Sequence, residues 1–214
     1  RLSLLEKNKK ITRSIFSAIG KFKKDAIVIV VANPVDVITY LAQKITGLPA
    51  AQVFGTGTAL DTARLKTNLA NELSVSAQSV SGYVLGEHGD SEFVAWSSVH
   101  VGSTPISQIK KIGAAKRKQI ETRVRKEAYE IIKRKGATFF GIATATAEIV
   151  EAIVYNQHAI LPVSTRVEKW NGISGVCIGV PAVIGCKGVE RVWPLALTNE
   201  EKKKLAASAK ILKS

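Results

Sequence analysis

The sequence predicts an α/β protein in which the C-terminal half of a doubly wound, parallel sheet is followed by an α+β domain. Two observations lead to this fold class. Residues 1–56 alternate between helical and strand-like hydrophobic patterns, in the order helix, strand, helix, strand. After Gly57 the pattern changes to long helices and to strands that follow one another directly. We therefore expect two domains, residues 1–56 and residues 57–214.

The most apolar segment of the first domain is residues 25–32 (DAIVIVVA). It is rich in β-branched residues and apolar on both faces, as in a buried central strand of a parallel sheet. Helical spacing is found over residues 2–24 and 35–46, and a short strand is predicted at residues 52–55. Two parallel strands alone have open edges and too little cover. We therefore expect further strands, and the rest of the sheet, from sequence upstream of residue 1.

The second domain is expected to combine helices with antiparallel strands. The sequence TNEE at 198–201 is a capping pattern that begins the last helix. The predicted helices are 58–73, 116–135, 138–155 and 199–212, and the predicted strands are 80–85, 159–168, 175–184 and 188–193.

Composition and charge narrow the possible functions. The longest apolar run has seven residues, against about 20 for a membrane span, so we expect no membrane segment. The formal net charge is +14, but the basic residues of 110–135 alternate with apolar positions at helical spacing and indicate a solvated helix face. Nucleic-acid binding is therefore not expected, although a basic, non-catalytic binding fragment stays open as an alternative. The two cysteines, Cys177 and Cys186, predict neither a disulfide framework nor a metal site.

Three polar side chains are the first candidates for chemistry. His88 lies between Gly86 and Gly89, which permit unusual backbone angles and leave an imidazole uncovered. Asp61 and Arg64 are three residues apart and share one face of a predicted, otherwise apolar helix. They form either a local ion pair or a functional pair, in which Asp61 holds the imidazole and Arg64 binds an anionic substrate.

A ligand site is also predicted at Asn33 and Asp36, because open α/β sheets bind ligands at the carboxyl ends of their strands. The sequence contains no GxGxxG motif and no P-loop. If a dinucleotide binds, its phosphate-binding turn is expected upstream, and these 214 residues alone are expected to be inactive.

Four segments resemble the L-lactate/malate dehydrogenase family, and within it the bacterial lactate dehydrogenases. They are VVANPVDVITYLAQKITGLP (30–49), FGTGTALDTAR (54–64), GYVLGEHGDSE (82–92) and KGATFFGIA (135–143). The resemblance covers essentially the whole chain. It implies a Rossmann-like NAD-binding domain and cytoplasmic, NAD-dependent interconversion of (S)-lactate and pyruvate in fermentative glycolysis. It also implies a homo-oligomer, a tetramer or a dimer; a lactate-dehydrogenase-like malate dehydrogenase is the alternative.

The resemblance also implies roles for single residues. His88 would be the general acid/base, and Asp61 would hold its imidazole. Arg64 would bind the substrate carboxylate, and Asn33 would hydrogen-bond substrate and cofactor. Arg1 precedes Arg64 by 63 positions and Asn33 by 32, the spacings of the family's loop arginine that polarises the reacting carbonyl.

Other matching positions line the same implied site. Thr138 would lie near the methyl group of the substrate, which favours lactate over malate. The positions that would touch the nicotinamide end of NAD are Val31, Ala32, Asn33, Thr56 and Ser14.

One departure from the family concerns regulation. Members activated by fructose 1,6-bisphosphate carry an arginine two residues after the carboxylate-binding arginine and a histidine seven residues before the catalytic one. Lys66 and Ser81 occupy these positions here. Lysine lacks the fork geometry of arginine and serine has no positive charge, so activation is expected to be absent or weak.

Overall fold

The computed structural model, which describes residues 2–213 (of residues 2–5 and 7 only the backbone), contains a mixed five-stranded sheet packed against helices. The helices are α1 (Leu2–Ile19), α2 (Val35–Thr46), α3 (Ala59–Leu73), α4 (Ala114–Lys135), α5 (Phe140–Val154) and α6 (Asn199–Lys213). The strands are β1 (Val28–Val30), β2 (Val53–Gly55), β3 (Val80–Ser81), β4 (Val84–Leu85), β5 (Phe93–Val94), β6 (His100–Val101), β7 (Thr104–Pro105), β8 (Ala159–Val167), β9 (Val176–Gly185) and β10 (Gly188–Val192).

The main sheet joins the two parts of the chain in the order β1-β2-β8-β9-β10. β1 and β2 are parallel, as predicted, and β2 meets β8 in the antiparallel sense at Gly55 and Ser164. Gly57 allows this close approach, because a Cβ atom there would lie 2.3 Å from the backbone nitrogen of Ser164. The end of β2 and the start of α3 are therefore packed directly on β8.

The apolar segment predicted as a strand forms a shorter strand than expected. Only Val28–Val30 form a strand, and within residues 2–213 it lies at the edge of the sheet and pairs with β2 alone. Val28 and Ile29 are consequently only half-buried. An apolar run indicates that a strand prefers a buried position. The number of strands that pair with it depends on which other strands are present.

The predicted helices agree closely with the structure. α2 has its predicted bounds and ends at Gly47, which adopts the left-handed conformation with φ 66°. α4 buries Ile120 and Val124 and turns most of its charged residues to solvent. Residues 86–115, where the sequence predicts neither a helix nor a strand, contain β5, β6 and β7. Each has two residues, too few to show an alternating pattern.

The capping pattern at the start of α6 is confirmed. The backbone N–H of Glu201 donates to Thr198 Oγ1 at 3.2 Å, and the N–H of Thr198 donates to Glu201 Oε2 at 2.9 Å. This reciprocal pair satisfies two amide groups that a helix terminus otherwise leaves unpaired.

The core is built around β9, whose ten residues are all buried. Ile178 and Val180 pack with Leu205 of α6, and Ile184 packs with Ile149 of α5. Among the described residues no helix has the length and apolar character needed to cross a membrane.

Candidate active site

The centre of the site is a hydrogen bond between the side chains of His88 and Asp61. The Nδ1 atom of His88 lies 2.7 Å from Oδ2 of Asp61, which is buried in the first turn of α3. A carboxylate can only accept here, so Nδ1 carries the proton and Nε2 is left to exchange protons with a ligand. The imidazole is 25% exposed, so it remains within reach of a ligand.

The loop that carries His88 is fixed to the sheet at Gly86. The N–H and carbonyl groups of Gly86 exchange hydrogen bonds with Gly179 of β9, both at 3.0 Å. Gly86 has φ 102°, and a Cβ atom there would lie 2.9 Å from Ser208 Oγ. The predicted unusual backbone is therefore found at Gly86, whereas Gly89 does not have a positive φ.

Asp36 connects α2 to the same loop. Its Oδ2 atom accepts from the backbone N–H of His88 at 2.8 Å, and its Oδ1 atom accepts from Ser164 Oγ at 2.6 Å. Burial raises the pKa of Asp36 to about 6, although both hydrogen bonds lower it. The sequence had placed Asp36 at a ligand site, but its side chain is buried and holds the backbone of His88.

Arg64 binds Asp61, the aspartate that also contacts His88. Its Nη1 donates to Asp61 Oδ1 at 3.0 Å, and Glu127 Oε1 lies 3.6 Å from its Nε. The local ion pair and the contact with His88 thus exist together, one on each oxygen of Asp61. Arg64 also lines a cavity of about 500 Å³ with Thr138 and a largely apolar wall that includes Leu60 and Ala137.

The electrostatics of the site favour a charged imidazole. Burial lowers the pKa of His88, but the hydrogen bond and charge of Asp61, with the charges of Glu92 and Asp36, raise it to about 9. Glu92 was missed by the sequence reasoning. The available signal was an acidic residue four positions after His88 in the same motif.

Asp61, His88 and Glu92 also form a group whose possible metal-ligand atoms lie within 4.8 Å of one another. The Nδ1 atom that would bind a metal is already hydrogen-bonded to Asp61. Arg64 and Arg125 supply positive charge beside the two carboxyl groups. The hydrogen bond and the two arginines thus explain why these three side chains can lie close together. The absence of a metal stays a prediction.

The predicted cofactor residues lie at the carboxyl ends of β1 and β2. Val31, Ala32 and Asn33 are exposed there, Val31 by 40%. Thr56 is buried beside them, with its N–H donating to Val30 O at 2.9 Å.

This exposed surface combines apolar side chains, Val31 and Ala32, with the polar side chain of Asn33. Asn33 Oδ1 accepts from the N–H of Val35, which leaves its amide nitrogen as a donor. Ser14 lies on an exposed face of α1, and Arg1 lies outside the described residues.

A mixed sheet that carries a histidine–carboxylate pair and a buried arginine is an arrangement suited to an α/β enzyme with acid/base chemistry. Comparison with known proteins narrows this class. Residues 1–55 match the family described as lactate/malate dehydrogenase, NAD binding domain. Residues 58–214 match the lactate/malate dehydrogenase, alpha/beta C-terminal domain. The chain belongs to the lactate/malate dehydrogenase family.

Individual relatives agree with this assignment. The L-lactate dehydrogenase of Kosmotoga olearia is 43% identical, and that of Halalkalibacterium halodurans is 45% identical. Each match covers 100% of this chain and 68% of the relative. The crystal structure of minor L-lactate dehydrogenase from Enterococcus mundtii, in its ligands-bound form, has a TM-score of 0.95 and 41% identity. The match covers 100% of this chain and 69% of the chain in that crystal structure.

Proposed function

We propose that the protein is an L-lactate dehydrogenase, which interconverts (S)-lactate and pyruvate with NAD(H) in fermentative glycolysis. The observation that carries the proposal is that Asp61 holds both His88 and Arg64, through separate oxygens. An acid/base group and a cationic group that can bind an anion are thereby held by one carboxylate, and a small 2-hydroxy acid needs both kinds of group. The names of the relatives support the same substrate.

His88 moves the proton. In lactate oxidation, neutral His88 accepts the hydroxyl proton at Nε2, and in pyruvate reduction the imidazolium returns a proton to the carbonyl oxygen. Asp61 stabilises the imidazolium, and it fixes the neutral imidazole in the tautomer with its proton on Nδ1. NAD(H), when bound, accepts or supplies the hydride at C2 of the substrate. With a pKa of about 9, His88 is protonated at neutral pH and is ready for pyruvate reduction.

Arg64 binds the carboxylate of the substrate, and Thr138 lies beside its methyl group. The cavity that these residues share has largely apolar walls and also contains charged side chains of both signs, Glu127, Glu130, Arg134 and Lys135. Its apolar part suits the methyl group of pyruvate. Arg1, as a further part of the proposal, polarises the carbonyl group.

The residues proposed for the nicotinamide side are Val31, Ala32, Asn33, Thr56 and Ser14. Asn33 is the best supported of them, because the carbonyl oxygen of this residue accepts a hydrogen bond from Asn8 of α1 and is held in place at the end of β1. The same proposal divides the chain into a cofactor part, residues 1–56, and a substrate part, residues 57–214.

We further propose a cytoplasmic homotetramer. Exposed apolar side chains support self-association, since monomeric proteins rarely expose several apolar side chains in one patch. On α1 these are Ile11, Ile15 and Ile19, and on α5 they are Val150 and Val154.

The test compares kcat/KM for pyruvate and for oxaloacetate with NADH in the full-length protein. Pyruvate is expected to be preferred, and a preference for oxaloacetate would indicate a malate dehydrogenase instead. His88→Asn serves as the control: it should keep NADH binding and lose turnover. Salt-dependent DNA binding without NADH binding would favour the basic binding fragment and overturn the proposal.

A further inference from the structure

Glu92 is a second buried carboxyl group beside the catalytic imidazole. Its side chain is 5% exposed, and Oε2 lies 3.9 Å from Nδ1 of His88, the same atom that Asp61 contacts. The backbone on either side of this carboxyl group is fixed. The carbonyl oxygen of Glu92 accepts from Arg125 Nη2 at 3.1 Å, and Phe93 begins β5 directly afterwards. Glu92 is therefore held against the imidazole by the fold.

Charges of both signs surround this carboxyl group. Around His88 and Glu92, α3 contributes Asp61 and Arg64, α2 contributes Asp36, and α4 contributes Arg125. The loop itself contributes Glu87, which acts on Asp36, and Glu127 of α4 lies next to Arg64. Arg125 Nε is buried and has no hydrogen-bond partner among the residues that the structure describes.

Burial, followed by the charge of Asp61, raises the pKa of Glu92 to about 8, although His88, Arg125 and Arg64 lower it. A carboxyl group with this pKa is mostly protonated at pH 7 and ionises just below the range in which His88 loses its own proton. The two titrations are therefore linked through a separation of 3.9 Å.

We propose that Glu92 is a positioning residue that acts through His88: it releases its proton as the pH rises, and its negative charge then prolongs the protonated state of the imidazole. The role rests on the proposed acid/base function of His88. Because Glu92 itself carries no charge at low pH, its effect is confined to alkaline conditions. Pyruvate reduction consequently continues to a higher pH than Asp61 alone would support.

The direct test is Glu92→Gln, which keeps the size of the side chain and removes its titration. The alkaline limb of kcat/KM for pyruvate should move down by about one pH unit, as expected for loss of a nearby opposite charge. Activity at pH 6 should stay within about twofold, because the carboxyl group is neutral there. A loss that is the same at every pH, or an unchanged alkaline limb, would overturn the proposal.

Glu121→Gln is the matched control. Glu121 is a carboxylate on α4 that lines the same small cavity as Glu92 and accepts a hydrogen bond from Trp96 Nε1 at 2.7 Å. It is not among the groups that shift the pKa of His88 most strongly, which are Asp61, Glu92 and Asp36. Its substitution should leave the alkaline limb in place, and an equal shift in this variant would count against a specific role for Glu92.

A measurement that needs no turnover separates this proposal from the proposed function. Diethyl pyrocarbonate modifies neutral imidazole, so its rate at His88, followed by peptide mass, reports the pKa of His88 directly. This profile should shift in Glu92→Gln even if pyruvate is not the substrate. Failure of pyruvate reduction alone would therefore refute only the enzymatic activity.

If Glu92→Gln does not fold, a measurement on the wild-type protein still tests the proposal. Its infrared spectrum should contain a protonated-carboxyl band that disappears between pH 7 and pH 9, above the titration of Asp36. Absence of this band would overturn the proposal. Glu92→Asp, which keeps the charge on a shorter side chain, should show an alkaline limb between those of the wild type and Glu92→Gln.

Discussion

Oδ2 of Asp61 lies 2.7 Å from Nδ1 of His88, although the two residues are 27 positions apart in the sequence. The second oxygen of the same carboxylate binds Arg64. One buried aspartate therefore orients both the side chain proposed to transfer the proton and the side chain proposed to bind the substrate anion. Changes at Asp61 should affect proton transfer and substrate binding together.

Asp61→Asn is expected to change the pH profile of the enzyme. It removes the hydrogen bond and the charge that raise the pKa of His88, so burial should then lower this pKa by a unit or more. Pyruvate reduction needs the imidazolium, so its alkaline limb should move to lower pH. The acidic limb of lactate oxidation, which needs neutral His88, should move the same way. Asp25→Asn, at an exposed position, should leave both limbs unchanged; limbs that stay fixed in Asp61→Asn would contradict this role.

Arg64→Lys is expected to weaken pyruvate binding. A planar guanidinium can give a carboxylate two parallel hydrogen bonds, whereas an ammonium acts as a single point charge. The KM for pyruvate should rise about 10- to 100-fold, in line with the loss of a hydrogen bond between charged groups. Steady-state kinetics measure this, with Arg123→Lys on the exposed face of α4 as the matched control. An unchanged KM would show that Arg64 does not bind the substrate.

Fructose 1,6-bisphosphate is expected not to activate the enzyme. Lys66 and Ser81 line one cavity of about 300 Å³, where the activated relatives carry arginine and histidine. Titration with the sugar bisphosphate should leave the KM for pyruvate constant. The double variant with Lys66→Arg and Ser81→His should gain sensitivity, with Lys66→Arg alone as its control. A fall in the wild-type KM on addition of the effector would show that lysine and serine suffice.

Thr198→Ala is expected to lower the free energy of unfolding by about 1 kcal/mol, the usual value of a helix cap. The variant loses the acceptor for the N–H of Glu201 at the start of α6. Urea denaturation measures the change. Thr67→Ala removes an exposed hydroxyl that bonds within α3 and should have little effect. Equal destabilisation by both changes would argue against the capping box.

The helices could be predicted because their signals are local. α2 follows from the spacing of its apolar residues and from Gly47, and α6 begins at a capping box that is legible in four letters. The pairing of Asp61 with His88 was one of two alternatives from the sequence, and only the family resemblance favoured it over a local ion pair. Their residue types and neighbouring glycines suggested chemistry, but the distance between them did not follow from spacing.

The sequence by itself determined most helices, and it identified the side chains proposed to carry the chemistry. Periodicity, caps and motifs depend on interactions between residues close in the chain. The tertiary structure alone decided that Asp36 accepts a hydrogen bond from the backbone of His88. It also decided that Ser164, 128 positions after Asp36, donates to the same carboxylate. It also decided that Glu92 is buried beside His88, and that β1 is an edge strand of the described residues. Burial and through-space charge arise only when distant segments pack together, and no local pattern records them.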